Sequence, residues 1–120
     1  MVRISPDVGR NRIIIEWSGA PTSVEAATAE RELREALSRL RPPIDVLSDI
    51  RELETMETFL PDDFHRLSTT LSTFGLRKIV RVVGKSALAA VHMERLSRRV
   101  PGHTAHLAFS LAEAEQVFGK

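Results

Sequence analysis

Lys78-Ile79-Val80-Arg81-Val82-Val83, followed by Gly84-Lys85-Ser86, is the stretch on which the reading of the fold turns. Ile79, Val80, Val82 and Val83 place apolar side chains on both faces of one short strand. A strand of that kind lies inside a sheet covered on both sides, the parallel type. Arg81 interrupts the run and is expected at an end or edge. Gly84-Lys85-Ser86 then turns the chain into a helix on which Ala89, Met93, Leu96 and Val100 share one face, and Pro101-Gly102 stops it.

Upstream of this stretch, Pro61 suits the first turn of another helix, with Asp62 and Asp63 near its positive end. Phe64, Leu67, Leu71 and Phe74 form its apolar stripe and Gly75 can end it. Ile44 to Ser48 reads as a brief strand finishing near Asp49. Before it, Thr22-Ser23-Val24-Glu25 has capping-box spacing and opens a helix carrying Ala26, Ala29, Leu33, Ala36 or Leu37, and Leu40, with Pro42 and Pro43 at its end. The first segments, Val2 to Ile4 and Arg12 to Trp17, are separated by Pro6, Asp7, Gly9 and Asn11 and read as a β-hairpin. Ile13, Ile15 and Trp17 share one face of its second arm, Trp17 as core or rim packing.

Downstream, Thr104 to Phe109 reads as a last strand. Ser110-Leu111-Ala112-Glu113 is a second capping-box match, opening a helix with Leu111, Ala114, Val117 and Phe118. The order is therefore ββαβαβαβα, an α/β fold with a mixed β-sheet and right-handed crossovers between parallel strands, in a single domain over 1–120.

Composition narrows the function. The 120 residues carry 17 Lys and Arg against 16 Asp and Glu, a formal net charge of +1, so there is no global field of the kind nucleic acid recruits. Without cysteine, disulfides and thiolate metal sites are excluded and a cytoplasmic address is the expectation. Met1-Val2-Arg3-Ile4-Ser5-Pro6-Asp7 lacks the apolar core of a signal peptide, and no stretch is apolar over the ~18 residues of a membrane span.

Catalytic motifs are hard to find. Gly84-Lys85-Ser86 sits between strand and helix like a phosphate loop, but the glycine such a loop needs five residues earlier is Ile79. A weaker use remains, in which amides at the helix start, with Lys85, hold an anion; an ordinary strand-to-helix turn explains the same residues. His65, His92, His103 and His106 do not have metal-ligand spacing and read as solvated or rim histidines. No Gly-x-Ser-x-Gly elbow, no cysteine nucleophile and no paired acid and base are present. The reading is of a protein that is not an enzyme and uses no cofactor and no metal.

Charge is distributed unevenly instead. Asp49, Glu52, Glu54, Glu57, Asp62 and Asp63 face only Arg51 between Asp49 and Asp63. From Arg77 to Arg99, Arg77, Lys78, Arg81, Lys85, Arg95, Arg98 and Arg99 face only Glu94. Arg95, Arg98 and Arg99 share roughly one helix face, fitted to an acidic protein, a phosphate or an anionic surface, or simply to solvent.

Over nearly the whole chain the pattern resembles the STAS family, the sulfate-transporter and anti-sigma-factor-antagonist domains, in its SpoIIAA-like branch. The residues that carry the likeness are the strand pair Arg3 to Trp17, the helix opening at Thr22, Ile44-Asp45-Val46-Leu47-Ser48-Asp49-Ile50-Arg51, the strand Arg77 to Gly84, and His106-Leu107-Ala108-Phe109-Ser110-Leu111-Ala112-Glu113-Ala114. The resemblance implies a bacterial cytoplasmic regulatory module, docking a protein partner such as a kinase or an anti-sigma-like regulator. Members of that family present an Asp-Ser-Ser/Thr-Gly-like motif at the start of the second helix, where a kinase modifies the serine. Counting from Asp49 puts Glu57 and Thr58 at the Asp-Ser positions, but Phe59-Leu60 follow, so the remainder of the motif is missing.

The expected partner-binding residues are Asp49, Glu54, Glu57, Thr58 and Lys85, with Thr58 as the phosphorylation candidate. A phosphate there would sit near a helix start but be repelled by Glu54, Glu57 and Asp62. The competing use implied by SpoIIAA-like relatives is a carrier of a small apolar ligand or lipid, held under Phe64, Leu67 and Leu71; a second copy of the chain, as a homodimer, is a further partner to test.

Overall fold

A computed structural model describes residues 1–120. The elements are β1 (Val2–Asp7), β2 (Arg12–Gly19), a single 3-10 turn (Ser23–Glu25), α1 (Ala26–Leu37), β3 (Ile44–Leu53), α2 (Pro61–Phe74), β4 (Leu76–Val83), α3 (Ala87–Arg98), β5 (Ala105–Ala108) and α4 (Leu111–Phe118). The five strands lie in sequence order, β1 antiparallel to β2 and the remaining neighbours parallel. This is the ββαβαβαβα mixed sheet that the sequence predicts.

The parallel crossovers explain the layering. Strands added always in one direction, each by a right-handed crossover, leave their connecting helices on the same face. Accordingly α1, α2 and α3 share one core with Ile13, Ile15 and Trp17 of β2, Val46 and Ile50 of β3, and Ile79 of β4. The other face carries Leu47, Val80, Val82 and Ala108, and α4 folds back to cover them with Ala114 and Phe118. The run Ile79-Val80-Arg81-Val82 is buried at every residue, which fits its two-faced apolar pattern.

Local signals operate as their chemistry dictates. Glu25 accepts from the Thr22 backbone N–H at 3.0 Å and from Val2 N–H at 3.2 Å, so this carboxylate fixes the helix start and ties it to β1. Ser110 Oγ accepts from Glu113 N–H at 3.0 Å at the start of α4. Gly75 ends α2 with φ 123°, and a side chain there would meet Pro42 Cβ at 2.9 Å. The hairpin turn falls later than expected, with Asn11 at φ 52° and its N–H on Val8 O at 3.2 Å. β1 runs on through Pro6, which an edge strand tolerates because one side of its backbone has no pairing to lose.

Three expectations need correction. β3 does not end near Asp49 but continues to Leu53, because Glu52 and Leu53 still pair with Ser18 and Gly19 beyond a register shift. Arg81 is not at an end or edge: it lies in mid-strand, 2% exposed, pointing under the helices in one row with Ile15 and Ser48. It is tolerated there because Nη2 donates to Ser97 Oγ at 2.5 Å and Nη1 to Glu94 Oε2 at 3.4 Å. His103 is not a rim histidine but 7% exposed, its ring edge-on to Phe64 with centroids 6.0 Å apart.

Burial and the nearby Arg81 charge both disfavour imidazolium at His103 and push its pKa down to about 4 from 6.5. The unfolded chain therefore binds the extra proton between these values, and the stability this histidine contributes is complete above pH 6.5 and is lost as pH falls toward 4. On going from neutral pH to about pH 5 the His103 contribution should fall by about 2 kcal/mol. Urea unfolding of the native chain and of His103→Gln over that range checks this: the variant should lose that part of the slope, and equal slopes would contradict it.

Candidate functional site

The site is built at the carboxyl ends of the parallel strands, where open α/β sheets gather their binding groups. β3 and β4 leave the sheet side by side, with Ile50 paired to Val83. The next residue after β4, Gly84, packs on the Arg51 backbone so closely that a Cβ would lie 2.3 Å from the Arg51 carbonyl oxygen. That approach draws the Lys85 turn against the end of β3. Ser86 fastens it, its hydroxyl donating to Glu54 O at 3.2 Å while Ser86 Oγ accepts from Ala89 N–H at 3.1 Å to cap α3.

The result is an open cleft of about 590 Å³ lined by Arg51, Glu52, Leu53, Glu54, Val83, Gly84, Lys85, Ser86 and Phe109. Glu54 and Lys85, far apart in sequence, thus come to one place. Phe109 stands at its rim 71% exposed. It belongs to the loop after β5 and not to the strand itself, which ends at Ala108. A lone aromatic between a strand and the Ser110 cap was the available signal for it.

The loop from Glu54 to Leu60 forms the adjoining surface. His92 on α3 anchors it, since its Nδ1 accepts from Met56 N–H at 3.4 Å and lies 3.1 Å from Thr55 Oγ1. Acceptance at Nδ1 puts the proton of the neutral ring on Nε2. Met56 and Phe59 are buried beneath the loop. Glu57 borders a second groove of about 180 Å³ with His92, Arg95, Leu96 and Arg99. Arg98 is paired with Glu94 at 3.3 Å, whereas Arg95 and Arg99 are exposed and within ion-pair distance of no carboxylate.

Thr58, though part of this loop, lines neither the cleft nor the groove, and Asp49 lies within the sheet. Thr58 Oγ1 donates to Pro21 O at 3.0 Å, while Ser23 N–H donates to Thr58 O at 3.3 Å and Leu60 N–H to Ser23 Oγ at 2.8 Å. The threonine is thus part of a strap joining the loop to the turn before α1, three residues ahead of Pro61. Asp49 lies within β3 and, between Ser48 and Ile50 of the helix-covered face, belongs to the opposite face. It is held by Arg51, which reaches Oδ2 at 2.9 Å through Nη2 and Oδ1 at 3.0 Å through Nε. Burial works to raise its carboxyl, but the bonds from Arg51 outweigh that and leave the pKa below the ordinary value. The count from Asp49 therefore starts inside β3 and not at its end.

No three His, Asp or Glu side chains gather as a metal set, and no helix is long and apolar enough to cross a membrane. The room enclosed under Phe64, Leu67 and Leu71 is about 20 Å³, far below the ~300 Å³ of a small-molecule pocket.

No family model matches the sequence, and no curated protein does. Among solved structures, the anti-sigma factor antagonist SpoIIAA in its unphosphorylated form matches over 100% of both chains, with a TM-score of 0.58 and 12% sequence identity. The chain has the STAS, SpoIIAA-like fold, as the resemblance implies.

Gly84→Ala tests the architecture of the site. Its Cβ would overlap backbone, not a movable side chain, so the β4–α3 turn must shift. We expect a loss of about 1–3 kcal/mol in urea unfolding, as for other overpacked positions. Unchanged stability would show that the approach is not tight.

Proposed function

We propose that this chain is a regulatory module that docks a protein partner through the cleft at the ends of β3 and β4 and the Glu54–Leu60 loop. The observation that carries the reading is the joint presence, on one exposed end of the sheet, of Glu52 and Glu54 opposite Lys85 with Phe109 at the rim. Opposite charges around a large exposed aromatic fit a protein surface: the charges orient the encounter and the ring supplies desolvated area. Leu60, Leu88 and Val91 are further apolar side chains left exposed on the loop and on α3. The SpoIIAA fold supports the regulatory class, and a kinase or an anti-sigma-like regulator is the partner type to which that likeness points. Of the residues read from the sequence, Glu54, Glu57 and Lys85 are assigned to direct contact.

Thr58 has a different role in this proposal. Phosphorylation would remove the proton that Thr58 Oγ1 donates to Pro21 O, and set a dianion near Glu57 and Asp62. The strap would open and the docking loop would loosen. Modification there would therefore act on the shape of the loop and not as a charge that a partner reads.

The test is a comparison of the native chain with Glu54→Lys/Glu57→Lys, both side chains being exposed and free of ion pairs. A protein recovered in stoichiometric amount by the native chain should bind the double variant at least about tenfold more weakly, a coupling of ~1.4 kcal/mol or more, with no change in melting temperature. Equal affinity would refute this docking surface. Thr58→Glu and Thr58→Ala separate the two roles of Thr58. Loss of the strap predicts that both raise hydrogen exchange over residues 56–60, whereas a change with Thr58→Glu alone would favour charge as the signal.

A further inference from the structure

Across the middle of the helix-covered face, register aligns Ile4, Ile15, Ser48, Arg81 and Leu107. Two polar residues thus occupy the centre of an otherwise apolar layer. Above them Ser68 of α2, His103 of the loop before β5 and Trp17 of the next row complete the lining of a small enclosed chamber, whose other walls are apolar. Its free volume is about 20 Å³.

Polar groups in this chamber lack protein partners. Trp17 is 4% exposed and Arg81 2%, yet no protein atom accepts from Trp17 Nε1–H or from Arg81 Nε–H, and His103 Nδ1 also has no partner. The two other nitrogens of the guanidinium are engaged by Ser97 and Glu94. Indole N–H and guanidinium Nε–H can only donate. A buried donor left without an acceptor costs on the order of 1–3 kcal/mol, and both of these residues line the same small space.

We propose that this chamber binds one small hydrogen-bond acceptor of atomic size, a water molecule or a halide ion, which receives Trp17 Nε1–H and Arg81 Nε–H. Size excludes an organic ligand, since about 10–15 Å³ of such volume holds one water. The guanidinium charge suits either occupant: Glu94, its one carboxylate neighbour, lies 3.4 Å away and is itself 45% exposed, so its compensation inside the core is partial. Neutral His103 adapts to both. With the proton on Nε2 its Nδ1 accepts a water hydrogen, and with the proton on Nδ1 it donates to a halide. The chamber bridges the sheet to α2 and α3, so its occupant fixes how the helices sit on β3 and β4, independently of the cleft and of what docks there.

The test uses the whole native chain, crystallised without halide and then soaked in sodium bromide. A compact density peak within about 3.0–3.4 Å of both Trp17 Nε1 and Arg81 Nε is expected. Bromide anomalous scattering at that peak identifies a halide site, and a peak without it identifies water. A chamber free of density, or a structure in which both donors bond to protein oxygens, would overturn the proposal.

Solution fluorescence separates the same two occupants away from the crystal, because Trp17 is the sole tryptophan. A halide site predicts bromide quenching that saturates and is reversed by chloride. A water site predicts only the weak, unsaturating quenching of a buried indole, the same in chloride as in sulfate, together with the density peak. Saturable quenching with no peak at the two donors would contradict both.

Discussion

The structure depends on the burial of both faces of the β3–β4 pair. Val46 and Ile79 on one side, and Leu47, Val80 and Val82 on the other, are each nearly inaccessible to water, and side chains of this size contribute about 1.5–3 kcal/mol apiece when buried. Three helices satisfy the first face. The second relies on α4, a short helix, and its seat is correspondingly well provided with cations. Arg77 grips Asp45 at 2.8 and 2.7 Å and also donates to Phe118 O at 3.2 Å, and Lys78 Nζ donates to Val117 O at 2.8 Å. Cations on the last carbonyls of a helix oppose its negative end and satisfy its orphan acceptors. Arg12 adds its guanidinium over the Phe118 ring at 3.7 Å.

With both faces covered, exposed charged and aromatic side chains gather at the carboxyl ends of the strands. At the carboxyl ends of β3 and β4 the Gly84–Arg51 contact and the Ser86 cap hold the Lys85 turn against the end of β3. The exposed Glu54, Lys85 and Phe109 project from that rigid frame. A strap through Thr58 and an anchor through His92 determine the shape of the neighbouring loop. Scaffold and exposed charges are thus separable, so that Glu54, Glu57 or Lys85 can be changed without touching the packing beneath them.

Much of this was legible in the sequence because it follows from spacing. The order of elements, the α/β class, the helix starting at Pro61 and the Ser110 cap follow from periodicity and turn chemistry, and each is where those rules put it. Arg81 and His103 were misplaced for a common reason. A one-dimensional pattern assigns charged and polar residues to solvent, whereas the fold brings Ser97 and Glu94 of α3 to Arg81 and the Phe64 ring to His103. The extent of β3 was missed because Asp49, Arg51 and Glu52 look like a loop, although Arg51 pairs with Asp49 on the open face and so lets the strand continue. Glu54 and Lys85 were singled out separately by charge, and the tertiary structure makes them neighbours; Phe109 was hidden within a strand-like run. The likeness to SpoIIAA, a TM-score of 0.58 at 12% identity, reflects the same balance: the fold is held in common while few residues are.

The docking account is tested most directly by amide hydrogen exchange of the chain alone and in complex with the partner it retains. Protection should appear over residues 51–60 and 84–92, with β1 and α4 unaffected. Protection confined to the β1 edge, to α4 or to the outer faces of α1 and α2, with 51–60 and 84–92 unchanged, would contradict it.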